Sequence, residues 1–131
     1  MQNKSYWFAV IGSYITMAIA GIGLSIAAAE QLSSLMAISR GEESMLMEWQ
    51  LGGYLLITII FTYIYVKGRE SGGWQEGARF GALFGLMMCG VSMINYSLLP
   101  IEMAAMIADI VLNIIIYAIG GITVAVIYKP E

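Results

Sequence analysis

The sequence predicts an all-α membrane protein, a single bundle of four transmembrane helices with both termini in the cytoplasm. Three observations carry that prediction. Hydrophobic residues make up 60% of the 131 and charged residues only 11%, against about 45–50% and about 25% in soluble domains. The few charges are bunched, and the stretches between them are long enough to cross hydrocarbon, which takes about 20 residues of helix. Those four stretches use most of the chain, leaving no length for a second domain.

The first span is expected over residues 6–29, inside the 25 uncharged residues between Lys4 and Glu30. Ala27-x-Ala29 at its end resembles a signal-peptide cleavage site, but the apolar stretch is longer than a usual signal core, so a retained helix is expected. The second span, 49–66, lies within the 18 uncharged residues between Glu48 and Lys67. The third, 79–99, begins at Arg79 and runs into the 22 uncharged residues between Arg79 and Glu102. The fourth, 101–128, covers the 26 residues between Glu102 and Lys129, which are interrupted only by Asp109.

Three connections join these spans. Residues 30–48 form a long loop in which Leu32, Leu35, Met36 and Ile38 suggest a short interfacial helix before Arg40-Gly41. Residues 67–79 form a glycine-rich turn. Around Leu99-Pro100-Ile101 the chain makes a tight hairpin, with Pro100 suited to the first turn of the last helix. In a four-span topology Lys4, Lys67, Arg69, Arg79 and Lys129 fall on one side and Arg40 alone on the other. Basic residues favour the cytoplasmic side. Tyr6, Trp7, Tyr63, Tyr65 and Tyr128 then make an inner aromatic belt, and Trp49 marks the outer surface.

Helices in lipid associate through small residues and polar contacts, because lipid tails are as apolar as leucine. Gly77, Gly81 and Gly85 recur at four-residue steps, continued by Cys89. Gly21 with Ser25 and Ala29 forms a second small stripe, and Gly121 with Ala125 a third. Such stripes serve either packing within the chain or docking onto another protomer or subunit.

Asp109 is the outlier in composition. It lies seven residues past Glu102, about 10 Å deep at the helical rise, where a carboxylate is too costly to face lipid. Ala105, Asn113, Tyr117, Gly121 and Ala125 share its helical face at four-residue steps. Depth counting places Ser25, Tyr54 and Asn95 in a polar layer with Asp109. That layer either fixes helix register by hydrogen bonding or forms an ion, proton or small-solute site.

Other chemistries find little support. The chain has no histidine and one cysteine, which removes the commonest general base and metal ligand and any thiolate cluster. Ten methionines, including Met36, Met45, Met47, Met93, Met103 and Met106 toward one side, raise Cu(I) binding. Methionine is also ordinary filler in apolar cores, which is the reading favoured here. The segment Gly68-Arg69-Glu70-Ser71-Gly72-Gly73 lacks the spacing and the Lys-Ser or Lys-Thr of a phosphate loop. A net charge of −3 gives no reason to expect nucleic acid. No enzyme, metal or cofactor is expected.

Tyr63-Ile64-Tyr65-x-Lys67-Gly68-x-Glu70, Gly73-Trp74-x-Glu76-Gly77-x-Arg79-x-Gly81, Leu99-Pro100-Ile101 and Ile127-Tyr128-Lys129-Pro130 resemble a group of small four-helix bacterial inner-membrane proteins of uncharacterised function. The resemblance covers about residues 63–130. It implies a multi-pass inner-membrane protein and transfers no catalytic or binding residue. The expectation is a non-enzymatic structural or accessory subunit of a larger membrane complex. The alternative is a small homo-oligomeric channel or transporter with Asp109, Asn113 and Asn95 along the path. Lipid or quinone binding in a groove between helices is a third possibility.

Overall fold

The computed structural model describes residues 4–38, 46–70 and 73–128, and contains no strand among them. Its helices are α1 (Lys4–Ala27), α2 (Ser33–Ala37), α3 (Met47–Gly68), α4 (Trp74–Leu98) and α5 (Met103–Ile127). All but α2 are long and apolar enough to cross a membrane. Arg40, Met45, Lys129 and Pro130, used above for orientation, metal binding and resemblance, lie outside the described residues.

Helix ends differ from the charge-marked spans in instructive places. α4 starts at Trp74, five residues before Arg79, with Gly73 extended as N-cap and Glu76 in the first turn. A carboxylate there complements the helix dipole, so a charge that bounds an apolar stretch does not end the helix. Pro100 is not in the first turn of α5. It lies in the connection, and α5 starts at Met103 behind the extended Glu102. The short interfacial helix expected near Leu35 forms as α2, where Ser34 Oγ accepts from the Glu102 N–H at 2.9 Å. That bond ties α2 to the start of α5 and gives one otherwise orphaned helix-terminal donor a partner.

Contact order along the helices shows an up-and-down bundle. Tyr6 and Tyr14 of α1 donate to the carbonyls of Ile59 and Leu51 of α3, each at 3.1 Å. Thr16 of α1 bonds Thr123 of α5 at 3.0 Å. Gly77, Gly81 and Gly85 of α4 meet Gly121, Tyr117 and Ile114 of α5 in turn. Each pair is antiparallel, so Lys4, Gly68, Trp74 and Ile127 share one end of the bundle. Ala27, Met47, Leu98 and Met103 share the other.

The closest packing is between α4 and α5. A Cβ on Gly77 would overlap the Gly121 carbonyl oxygen, and one on Gly81 the Tyr117 carbonyl oxygen. On Gly85 it would stand 2.7 Å from Ile114 Cα. Backbone touches backbone here, which only glycine permits. The α4 stripe and Gly121 are therefore taken up inside the chain. Gly21 of α1 is looser, with Ile116 Cδ1 at 3.7 Å from the position of a Cβ.

Rings fasten α3 to α4 and α5. Phe61, fully buried, stacks at 4.9 Å on both Phe80 and Phe84 and at 5.7 Å on Tyr117. Tyr65 meets Phe80 at 5.4 Å. All of this holds the second half of α3. The first half is less covered: residues 48–56 are exposed at every position, with the Tyr14 bond to the Leu51 carbonyl reaching it from α1. Gly52 and Gly53 have no atom within 4 Å of an added Cβ among the described residues. Elsewhere the exterior is aliphatic, as along α1 at Ile11, Ile15, Ile19, Ile22 and Ile26.

Candidate functional site

The glycine contact continues into a polar group. Past Gly85 the α4 face carries Cys89 and Ser92, both buried. Because the backbones are already close, these short side chains span the gap to α5. Ser92 Oγ donates to Asp109 Oδ2 at 2.5 Å and accepts from Asn113 Nδ2 at 3.2 Å. Cys89 Sγ donates to the Gly85 carbonyl at 3.2 Å and lies 3.7 Å from that of Ile110. Asp109 and Asn113 sit one turn apart on α5, which is why one serine can serve both.

Ser92 is only 3% exposed, while Asp109 and Asn113 are half-buried. The bonds run Asn113 to Ser92 to Asp109, with the carboxylate as the terminal acceptor. Asp109 Oδ1 and the Asn113 amide oxygen remain outside this run, so two acceptors are left for a proton, a cation or a donor on another molecule. An unpartnered carboxylate in lipid is costly; the Ser92 bond gives Asp109 a partner within the chain. A nucleophilic role does not suit Ser92, whose hydroxyl is enclosed by the two helices.

The other polar residues expected in this layer stay outside the hydrogen-bonded group. Ser25 is half-buried near the end of α1, and Asn95 is exposed on α4. Tyr54 is 52% exposed on the free half of α3. Ser92 was not foreseen, although the sequence held a signal for it. Counted from Pro100 itself, Ser92 lies eight residues back and Asp109 nine ahead, so the hairpin pairs them at one level. Measuring Asp109 from Glu102 and Asn95 from Pro100 shifts the register by most of a turn.

Among the described residues no three His, Cys, Asp or Glu side chains form a cluster able to hold a metal. Met93 and Met103 are both exposed. No protein family, curated protein or solved structure matches this chain.

Proposed function

We propose that this chain is a four-span protein of a bacterial inner membrane, with both ends cytoplasmic, serving as a non-enzymatic subunit of a larger membrane assembly. The orientation is supported by Lys4, Lys67, Arg69 and Arg79, which belong to the end of the bundle shared by the first and last residues of the helical core. The subunit role is carried by the first half of α3. Each of residues 48–56 is exposed, although Tyr14 of α1 bonds the Leu51 carbonyl, and they include Gln50, Tyr54 and the smooth pair Gly52-Gly53, features that suit a helix–helix contact better than lipid. The glycine stripes of α4 and α5 are already used within the chain, so this segment is the docking surface.

A photo-crosslinking amino acid at position 53 tests the role, with position 19 on the isoleucine face of α1 as reference. The proposal expects a discrete protein adduct from 53, of one defined mass, and lipid adducts from 19. Lipid adducts alone from both positions would count against it.

A second reading is favoured by one observation, the half-buried Asp109 with an oxygen outside the Ser92 bridge. A small homo-oligomeric channel or transporter would use it, with Asn113 and Asn95 along the path. Proton or cation flux into proteoliposomes that disappears in Asp109→Asn would support this reading. An inert wild-type protein would remove it.

A further inference from the structure

The polar group between α4 and α5 is incomplete as the chain leaves it. Among the described residues, Thr62 Oγ1 and Arg69 Nε are the enclosed side-chain atoms that lack a hydrogen-bond partner. Asp109 Oδ1, the Asn113 amide oxygen and the Tyr117 hydroxyl also bond nothing among these residues. None of the three is enclosed, so each opens to the surface of the bundle. They recur at four-residue steps on α5 and form a polar stripe about 12 Å long. Lipid tails supply no donor to such a stripe.

Asp109 sets the chemistry. It carries the charge of the stripe, and Ser92 engages one of its two oxygens. The described basic residues do not supply its countercharge. Lys4, Lys67, Arg69 and Arg79 stand at the opposite end of the bundle, by the start of α1, the end of α3 and the start of α4. A second copy in the same orientation would bring those ends together and set Asp109 against Asp109, a like-charge contact. A carboxylate inside a membrane pairs with a basic side chain or another donor that faces it. The stripe also adjoins the surface proposed above for docking, because Tyr54 of α3 is near enough to the Tyr117 hydroxyl to interact with it electrostatically.

We infer that the partner subunit lays a transmembrane helix against this stripe, with a Lys or Arg of that helix paired to Asp109 Oδ1. The inference rests on the subunit reading above and names the chemistry of the partner. A lysine or arginine in hydrocarbon is itself costly, so each charge requires the other, and a helix without the basic residue leaves Asp109 unmatched.

A photo-crosslinking amino acid at position 106, three residues before Asp109 on α5, tests it in the full chain in its own membrane. The adduct is expected to map to a spanning segment of a different protein, with a Lys or Arg within one turn of the linked residue. Asp109→Asn should reduce that adduct about tenfold, the effect of losing one charge-assisted contact, and Asp109→Glu should retain most of it. Ser92→Ala breaks the internal bond but keeps the carboxylate, so it should leave the adduct largely intact. Reversing both charges, with Asp109→Lys here and the partner's basic residue changed to Asp, should recover the adduct lost in either single reversal. Lipid adducts alone, an adduct to a second copy of this chain, a linked segment without a basic residue, or equal loss in Asp109→Asn and Ser92→Ala would each overturn the inference. Loss in Arg40→Gln equal to that in Asp109→Asn would do the same, by placing the countercharge within the chain. Position 53 separates the two levels. A protein adduct there with none at 106 refutes only this pairing, whereas lipid adducts alone at both refute the subunit reading as well.

Discussion

Placing one methyl group at Gly81 tests the α4–α5 contact most sharply. In Gly81→Ala the new Cβ would lie 2.6 Å from the Tyr117 carbonyl carbon and 2.8 Å from Ala118 Cα. Relaxed carbon–carbon contacts run at about 3.5–4.0 Å. Both obstacles are backbone, so no rotamer change relieves the overlap and the helices must part by roughly 1 Å. A gap of that size forfeits about a quarter to a half of the dispersion energy of the atoms it separates. We expect a loss of about 3 kcal/mol, at the upper end of ordinary overpacking, or roughly a hundredfold in the unfolding equilibrium. Unfolding in mixed micelles of increasing SDS fraction, followed by circular dichroism, reads the change. Gly90→Ala is the reference, because a Cβ there has nothing within 4 Å among the described residues. It should be neutral, or stabilised by up to about 1 kcal/mol through helix propensity. If the two variants unfold alike, the backbone contact inferred between α4 and α5 is wrong.

Four further outcomes follow from the same packing. Gly120→Ala should cost less than Gly81→Ala in the same unfolding assay, about 1 kcal/mol, because the atoms nearest the new Cβ belong to the Met17 side chain and not to backbone. Ser92→Ala should destabilise by about 1–2 kcal/mol, since it leaves Asp109 and Asn113 without their shared partner; the loss should shrink when Asp109→Asn is already present. Phe61→Ala removes ring contacts to Phe80, Phe84 and Tyr117, worth about 0.5–1.5 kcal/mol each, and should raise the proteolytic sensitivity of α3 before that of α4 or α5. A double-mutant cycle of Thr16→Val with Thr123→Val, across their 3.0 Å bond, should return a coupling of about 0.6 kcal/mol, typical for hydrogen bonds between membrane helices.

Much of the architecture was legible because hydrocarbon leaves few choices. Backbone groups in lipid must be satisfied within the segment, so long uncharged stretches read directly as helices. Gly77, Gly81 and Gly85 announced a touching face by their spacing, although spacing alone could not name α5 as the surface they touch. Helix ends were less legible. Glu76 and Arg79 sit inside α4 because a charged side chain near a helix end reaches water without ending the helix, and Glu76 in the first turn complements its dipole. The polar group was half legible. Asp109 stands out in composition and Asn113 follows one turn on, but Ser92 resembles any small packing residue until the hairpin register is counted from Pro100. The first half of α3 was legible only in part: Gln50, Tyr54 and Gly52-Gly53 mark it, but their spacing does not say that the rest of the chain leaves them exposed.

The subunit role is the central claim, and native mass spectrometry of the gently solubilised protein from its own membrane tests it most directly. The account predicts a hetero-complex of fixed stoichiometry, weakened when Gly53→Leu roughens the exposed face of α3. A monomer, or a homo-oligomer indifferent to that change, would contradict it, and the homo-oligomer would move Asp109 to the centre of the function.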